Sequence, residues 1–128
     1  MTNLERITCK AALLNPERTE IILVEYGEND FGLPGGHIEA NESPDEAMMR
    51  ELREELDIAS PSLDLKSAWR HPNGKLILGY VGIVEEDAPF TIDASEIRSA
   101  QFIEIKKIAA GKITAGTYDK FILQFAIE

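Results

Sequence analysis

The apolar positions of the chain change their period several times, and each change marks an element. Residues 6–14 and 19–26 read as strands, runs of apolar residues broken by the turn signal Asn15-Pro16-Glu17. Within the first, Ile7-Thr8-Cys9-Lys10-Ala11 alternates apolar and polar, which turns Cys9 inward as a small core residue. Gly27-Glu28-Asn29-Asp30 predicts a further turn. Next, Phe31-Gly32-Leu33-Pro34-Gly35-Gly36 crowds conformationally special residues together, and His37 to Asn41 predicts a short strand running into a loop.

The period then becomes helical. Ser43-Pro44-Asp45-Glu46 combines an N-cap serine, a proline at the first helical position and a glutamate placed for a capping box. The helix is predicted to run to about Leu56, with Met48, Met49, Leu52 and Leu56 on its core face. Asp57 follows where helices often end in a left-handed residue, a conformation Asp tolerates better than most.

After Ser60-Pro61 the strand pattern returns. Leu63 to Arg70 and Lys75 to Glu85 flank His71-Pro72-Asn73-Gly74, and Asn-Gly is a strong hairpin signal. Glu86 to Thr91 reads as acidic loop, Ala100 to Ile105 as a strand, Lys106 to Ala110 as a helical turn and Tyr118 to Ile127 as a C-terminal helix. No repeat, low-complexity tract or linker interrupts this order. Strands mixed with a few helices predict an α/β (α+β) sandwich around a mixed central sheet, and 128 residues suit one domain.

Composition narrows the function classes. Hydrophobic residues make up 44% and charged residues 28% of the chain, ordinary values for a packed protein rather than a disordered one. No apolar run approaches the roughly 20 residues that span a bilayer, and the first ten residues lack a signal-peptide pattern. A cytosolic address is the expectation. A net charge of −10 argues against binding a nucleic-acid polymer. Phosphorylated small molecules remain compatible, provided a cation or local Lys and Arg residues stand between them and the acidic surface. A single cysteine allows neither an internal disulfide nor a thiolate metal cluster.

The polar face of the predicted helix carries the chemistry. Glu51, Glu54 and Glu55 are spaced i, i+3 and i+4, so their carboxylates project from one side and repel one another. Alone, the triplet reads as a solvated acidic stripe sooner than as a metal site. Oxygen ligands on a rigid scaffold, however, suit a hard divalent cation such as Mg²⁺. Arg50 stands beside Glu51 and four residues before Glu54, placed to orient a carboxylate. The Gly35-Gly36 pair lies a short loop upstream, where bare backbone can approach a metal or a phosphate.

These residues resemble the Nudix box. Gly36-His37-Ile38-Glu39-Ala40-Asn41-Glu42, seven further residues and then Arg50-Glu51-Leu52-Arg53-Glu54-Glu55-Leu56-Asp57-Ile58 match every fixed position of that pattern but one. The exception is Asp57, where the family carries glycine. The resemblance implies the Nudix sandwich and Mg²⁺- or Mn²⁺-dependent hydrolysis of a nucleoside diphosphate linked to another group. It implies a metal site of Glu51, Glu54 and Glu55 with the Gly36 carbonyl, Arg50 holding a box glutamate in place, and Glu42 in a supporting role.

Which glutamate serves as general base varies in the family. The candidates are a box residue such as Glu51 or Glu54, or a later acid from Glu85, Glu86, Asp87, Asp93 and Glu96. Glu96, ahead of Ile97 and Phe102, sits where many relatives carry such a glutamate. Phe31, Trp69, Tyr80 and Phe102 are candidate base-stacking surfaces or core residues. Arg6, Arg70, His71 and Lys75 are candidate contacts for a phosphate tail, and His37 is not expected to be a ligand.

Two other classes share the fold. A non-catalytic nucleotide-binding Nudix domain commonly lacks box carboxylates, and all are kept here. An isopentenyl diphosphate isomerase carries a catalytic cysteine at the position of Gly35, whereas Cys9 lies far upstream. The substrate is left open among nucleotides and other diphosphates, and so is the oligomeric state, a homodimer being one option.

Overall fold

A computed structural model describes residues 7–58, 62–85 and 91–126. Seven strands occur among them: β1 (Ile7–Leu14), β2 (Glu20–Gly27), β3 (Asp30–Gly32), β4 (Gly35–His37), β5 (Ser62–Arg70), β6 (Leu76–Ile83) and β7 (Ser99–Glu104). The helices are α1 (Pro44–Leu56), the short α2 (Ile105–Ala109) and a C-terminal helical segment from Gly116 to Ala126. The sheet is mixed, as predicted. β1 runs parallel to β6, and the pairs β1–β2, β1–β4, β2–β3, β2–β7 and β5–β6 are antiparallel. Arg6, Pro61, Glu86, Asp87, Ile127 and the remainder of the predicted 86–91 loop up to Phe90 lie outside the described residues.

From Ala11 to Leu14 β1 is continuously apolar and fully buried because both of its faces are covered. Cys9, Ala11 and Leu13 pack with Ile22, Val24, Met48, Leu52 and Leu56 under α1. Ala12 and Leu14 face the opposite way, onto Ile21, Leu23, Ile105, Ile108, Phe121 and Ile122. The result is a sheet between two helical layers. No helix among the described residues is long and apolar enough to cross a membrane.

A gap in the sheet positions the site. β1 and β2 pair at Leu14↔Ile21 and then part, and the residues around β4 fill the space between them. Ala11 N–H donates to the Pro34 carbonyl at 3.0 Å, and Thr8, Cys9 and Lys10 pair with His37, Gly36 and Gly35. The short strand predicted over His37 to Asn41 therefore sits earlier, at Gly35–His37. The glycines let the chain run flush against β1, and residues 39–42 turn, with Asn41 at φ 73°.

Other boundaries move by a residue or two, and one element changes character. The C-terminal helix predicted from Tyr118 begins as a tight turn at Gly116, is α-helical over Asp119–Phe121 and widens over Ile122–Ala126. On α1, Met49 is only half-buried, and Ala47 and Glu55 take the remaining core-facing positions. The capping box at Ser43 forms in both directions, at 3.1 and 2.8 Å. Asp57 ends the helix in the left-handed region, at φ 57°, a conformation glycine adopts freely and Asp tolerates. Ile58 N–H donates to the Leu52 carbonyl, and its side chain joins Leu52 in the core.

Candidate metal centre

The two glycines of β4 do different things. At Gly35, φ is 145°, and a Cβ would stand 2.0 Å from the Cys9 carbonyl oxygen, so no side chain fits. Its N–H donates to Glu55 Oε1 at 2.7 Å. At Gly36, a Cβ would fall 2.5 Å from Glu51 Oε1. Glu51 thus lies directly over bare backbone. Between them the two glycines seat both carboxylates, one by a donated hydrogen bond and one by leaving space.

A third carboxylate arrives from the far end of the chain. The last turn of α1 leaves carbonyls without helical partners. Asp93 N–H donates to the Glu55 carbonyl at 3.1 Å and Thr91 N–H to the Leu56 carbonyl at 2.9 Å. Asp93 in turn holds Ser95 through its own side chain, and Ile97 is fully buried as an anchor. This loop carries Glu96 to the helix. Carboxylate oxygens of Glu51, Glu55 and Glu96 all lie within 4.8 Å of one another.

Burial and mutual repulsion work against ionisation there. The Glu55 carboxyl is 3% exposed and is pushed up to about 7, chiefly by burial and further by Glu51 and Glu96, while the Gly35 N–H and Lys10 oppose the rise. Glu51 is raised as well, first by burial, with Arg50 pulling the other way. An oxygen-only donor set crowded this closely suits a hard divalent cation, which would relieve the repulsion that the protein leaves in place.

Arg50 organises the other side. Its Nε and Nη2 donate to the two oxygens of Glu42 at 2.8 and 3.0 Å, Nη1 to Glu51 and Glu54 at 3.1 and 3.0 Å, and Nη2 also to the His37 carbonyl at 3.1 Å. Glu42 is held below the usual carboxylate range mainly by that arginine. Glu54 is half-exposed and faces Arg50 rather than the cluster. Glu51 therefore belongs to both groups: it meets Glu55 and Glu96 on one side and shares Arg50 with Glu54 and Glu42 on the other.

The other predicted residues scatter. Tyr80 is core, its hydroxyl donating to Asp45 at 2.6 Å and tying α1 to the sheet. Trp69 stacks on Phe121, and Phe31 and Phe102 pack at the margins of the core. Arg70 donates to the Gly74 carbonyl within the hairpin. Cys9 is buried, and burial pushes its thiol up, away from reactivity. Glu85 is exposed.

Lys10 was not among the predicted residues. Its ammonium donates to Tyr26 Oη at 3.0 Å and to the Leu33 carbonyl at 3.1 Å, under the Tyr26 ring and near that of Tyr118. A lone lysine between the buried residues Cys9 and Ala11 was the available signal.

A family model for the NUDIX domain matches residues 6–125. The chain belongs to the Nudix family. No curated protein sequence matches it. Among solved structures, this Nudix chain resembles a MutT protein from Methanosarcina mazei, at 22% identity and TM-score 0.76 over 98% of this chain and 95% of that one. It also resembles the NUDIX domain of Shewanella oneidensis NrtR, complexed with ADP ribose, at 15% identity and TM-score 0.78 over 96% and 86%. An Ap4A hydrolase from C. elegans matches at 17% identity and TM-score 0.75 over 93% and 95%. At these identities the likeness is one of fold.

Proposed function

We propose that this Nudix chain is a Mg²⁺-dependent hydrolase, with Mn²⁺ able to substitute, that cleaves a phosphoanhydride in a nucleoside diphosphate linked to another group. The observation that carries this reading is the trio Glu51, Glu55 and Glu96 converging beside Gly36 in a chain that keeps every box carboxylate. Glu51, Glu55, Glu96 and the Gly36 carbonyl would hold the cation, and Glu54 would join from its outer edge. A cation held there would supply Lewis-acid polarisation of phosphoryl oxygens and would lower the pKa of a water.

The protein's own groups do the rest. Gly35 N–H fixes the rotamer of Glu55, Gly36 leaves room for Glu51, and Arg50 keeps Glu51 and Glu54 aimed along the helix. Glu96 is the exposed member of the trio and is our assignment for the proton acceptor. Glu51 and Glu54 are the other carboxylates in position to accept it.

A non-catalytic role, as a nucleotide-binding domain, is the second reading. The likeness to the ADP ribose-bound NrtR domain favours it, and the intact carboxylate set weighs against it. The deciding experiment assays nucleoside triphosphates, dinucleoside polyphosphates, nucleotide sugars and diphosphate cofactors with Mg²⁺ for released phosphate or pyrophosphate. Metal-dependent release from one class, lost in Glu55→Gln, is the expected result. Binding without release across the panel would favour the second reading.

A further inference from the structure

Across the glycine pair from the carboxylates lies a cavity of opposite character. It has a volume of about 180 Å³, and of its nine lining residues four are Lys10, His37, His71 and Lys75, with no Asp or Glu among them. The chain as a whole has 23 acidic residues against 13 Lys and Arg. What sets this pocket apart is its place beside the metal centre. Gly36 belongs to its wall as well as to the metal centre, so the two sites share a boundary.

The donors are already set. Lys10 spends two of its three N–H groups on Tyr26 and Leu33, which fixes the ammonium and leaves one N–H over. His71 Nδ1 accepts the Asn73 N–H at 3.1 Å, so in the neutral ring the proton sits on Nε2, a donor. Lys75 comes from the same hairpin; burial lowers the Lys10 ammonium from its ordinary range, Glu55 and Glu51 oppose that, and Lys75 adds to it. Among the described residues no carboxylate forms an ion pair with Lys75. Both lysines line the one cavity, and no Asp or Glu lines it with them.

We propose that this cavity is an anion subsite that takes a phosphate group of the substrate, the one next to the phosphoanhydride held at the metal centre. This rests on the hydrolase reading only for which molecule brings the phosphate. It commits the specificity to substrates that continue as phosphate beyond the cleaved link, nucleoside tri- or polyphosphates, over nucleotide sugars. Phosphate recognition by fixed N–H donors and ammonium groups is charge-assisted and needs no metal.

Inorganic pyrophosphate titrated calorimetrically into the full chain, in buffer stripped of divalent metal, tests the site apart from catalysis. Binding is expected in the wild type, weakened about tenfold or more in Lys75→Met, and unchanged in Lys107→Met on the exposed face of α2. Lys75 is chosen over Lys10 because it lies at the hairpin end and its loss leaves the core intact; unfolding curves confirm that each variant is folded. Equal affinity in wild type and Lys75→Met, or no metal-free binding at all, overturns the proposal.

With Mg²⁺ present, Lys75→Met should raise the KM for a nucleoside triphosphate about tenfold with little change in kcat, and leave the KM for a nucleotide sugar alone. If pyrophosphate affinity falls but neither KM moves, the pocket takes free phosphate and the assignment to substrate is wrong. If no nucleotide is hydrolysed, the hydrolase reading fails while the calorimetric result on the cavity stands.

Discussion

Glu42 and Glu55 belong to the same loop-and-helix unit, yet they live under opposite electrostatic conditions. Glu42, Glu51 and Glu54 all accept from one guanidinium, and Arg50 holds Glu42 with two of its nitrogens. Glu55 is buried, accepts a single backbone N–H, and shares its space with two other carboxylates. Glu42 holds the guanidinium with both oxygens, whereas Glu55 has only the more distant charge of Lys10 to set against its neighbours. Carboxylates crowded on one another in this way keep excess negative charge where an external cation can reach it.

The comparison breaks most decisively at Glu55. Glu55→Gln keeps an acceptor for the Gly35 N–H but removes the buried charge. We expect Mg²⁺-dependent turnover to fall about a hundredfold or more, since even supporting residues of metal sites are worth about 10–100-fold. Thermal unfolding without metal should show no loss of stability, because burying an uncompensated carboxylate costs free energy that the amide does not incur. A variant that kept full turnover would remove Glu55 from the site. One that unfolded well below the wild type would make it a structural residue.

Gly36→Ala comes next. Its Cβ would press on the Glu51 carboxylate at 2.5 Å, so Glu51 must swing away while the box carboxylates stay chemically intact. Metal titration followed by calorimetry should show affinity reduced by about tenfold or more. Unchanged affinity would mean that Glu51 does not need its present place. Glu54→Gln is expected to lower turnover by about tenfold, less than Glu55→Gln, because its carboxylate starts on Arg50 and outside the trio. Equal losses in the two variants would show that Glu54 leaves Arg50 for the metal.

Much of this arrangement could be read from the chain, for reasons that differ by residue. The helix start at Ser43, its end at Asp57 and the box spacing are local features, set by neighbours in sequence. Their chemistry shows without a fold. Glu96 was reachable only as one acid among several, because what selects it is long-range: Asp93 and Thr91 donating to the orphan carbonyls of α1. Lys10 was missed for the same reason. Its partners Tyr26 and Leu33 lie on other segments, and strand alternation alone cannot say that a lysine faces a cavity beside the metal centre. The division of labour between Glu54 and Glu55, adjacent in sequence, was likewise invisible, since it depends on where the glycine pair docks.

The smallest effect tests the balanced half of the comparison. Because Arg50 holds the Glu42 carboxyl below its unfolded value of 4.5, the native state binds its proton less readily than the unfolded chain does. The stability this contributes is present above pH 4.5 and is lost as the pH falls through the lower, native value. Glu42→Gln should therefore flatten the acid side of the stability profile, measured by denaturant unfolding without metal between neutral pH and the acid limb. The two profiles should converge at low pH, where the wild-type carboxyl is also protonated. Since the carboxylate is near the surface and screened, the difference should be modest, and turnover should change far less than in Glu55→Gln. Parallel profiles that never converge would mean that Arg50 engages the amide as well as the carboxylate. The pairing would then be geometric rather than electrostatic, and the contrast between the two halves of the site would rest on Glu55 alone.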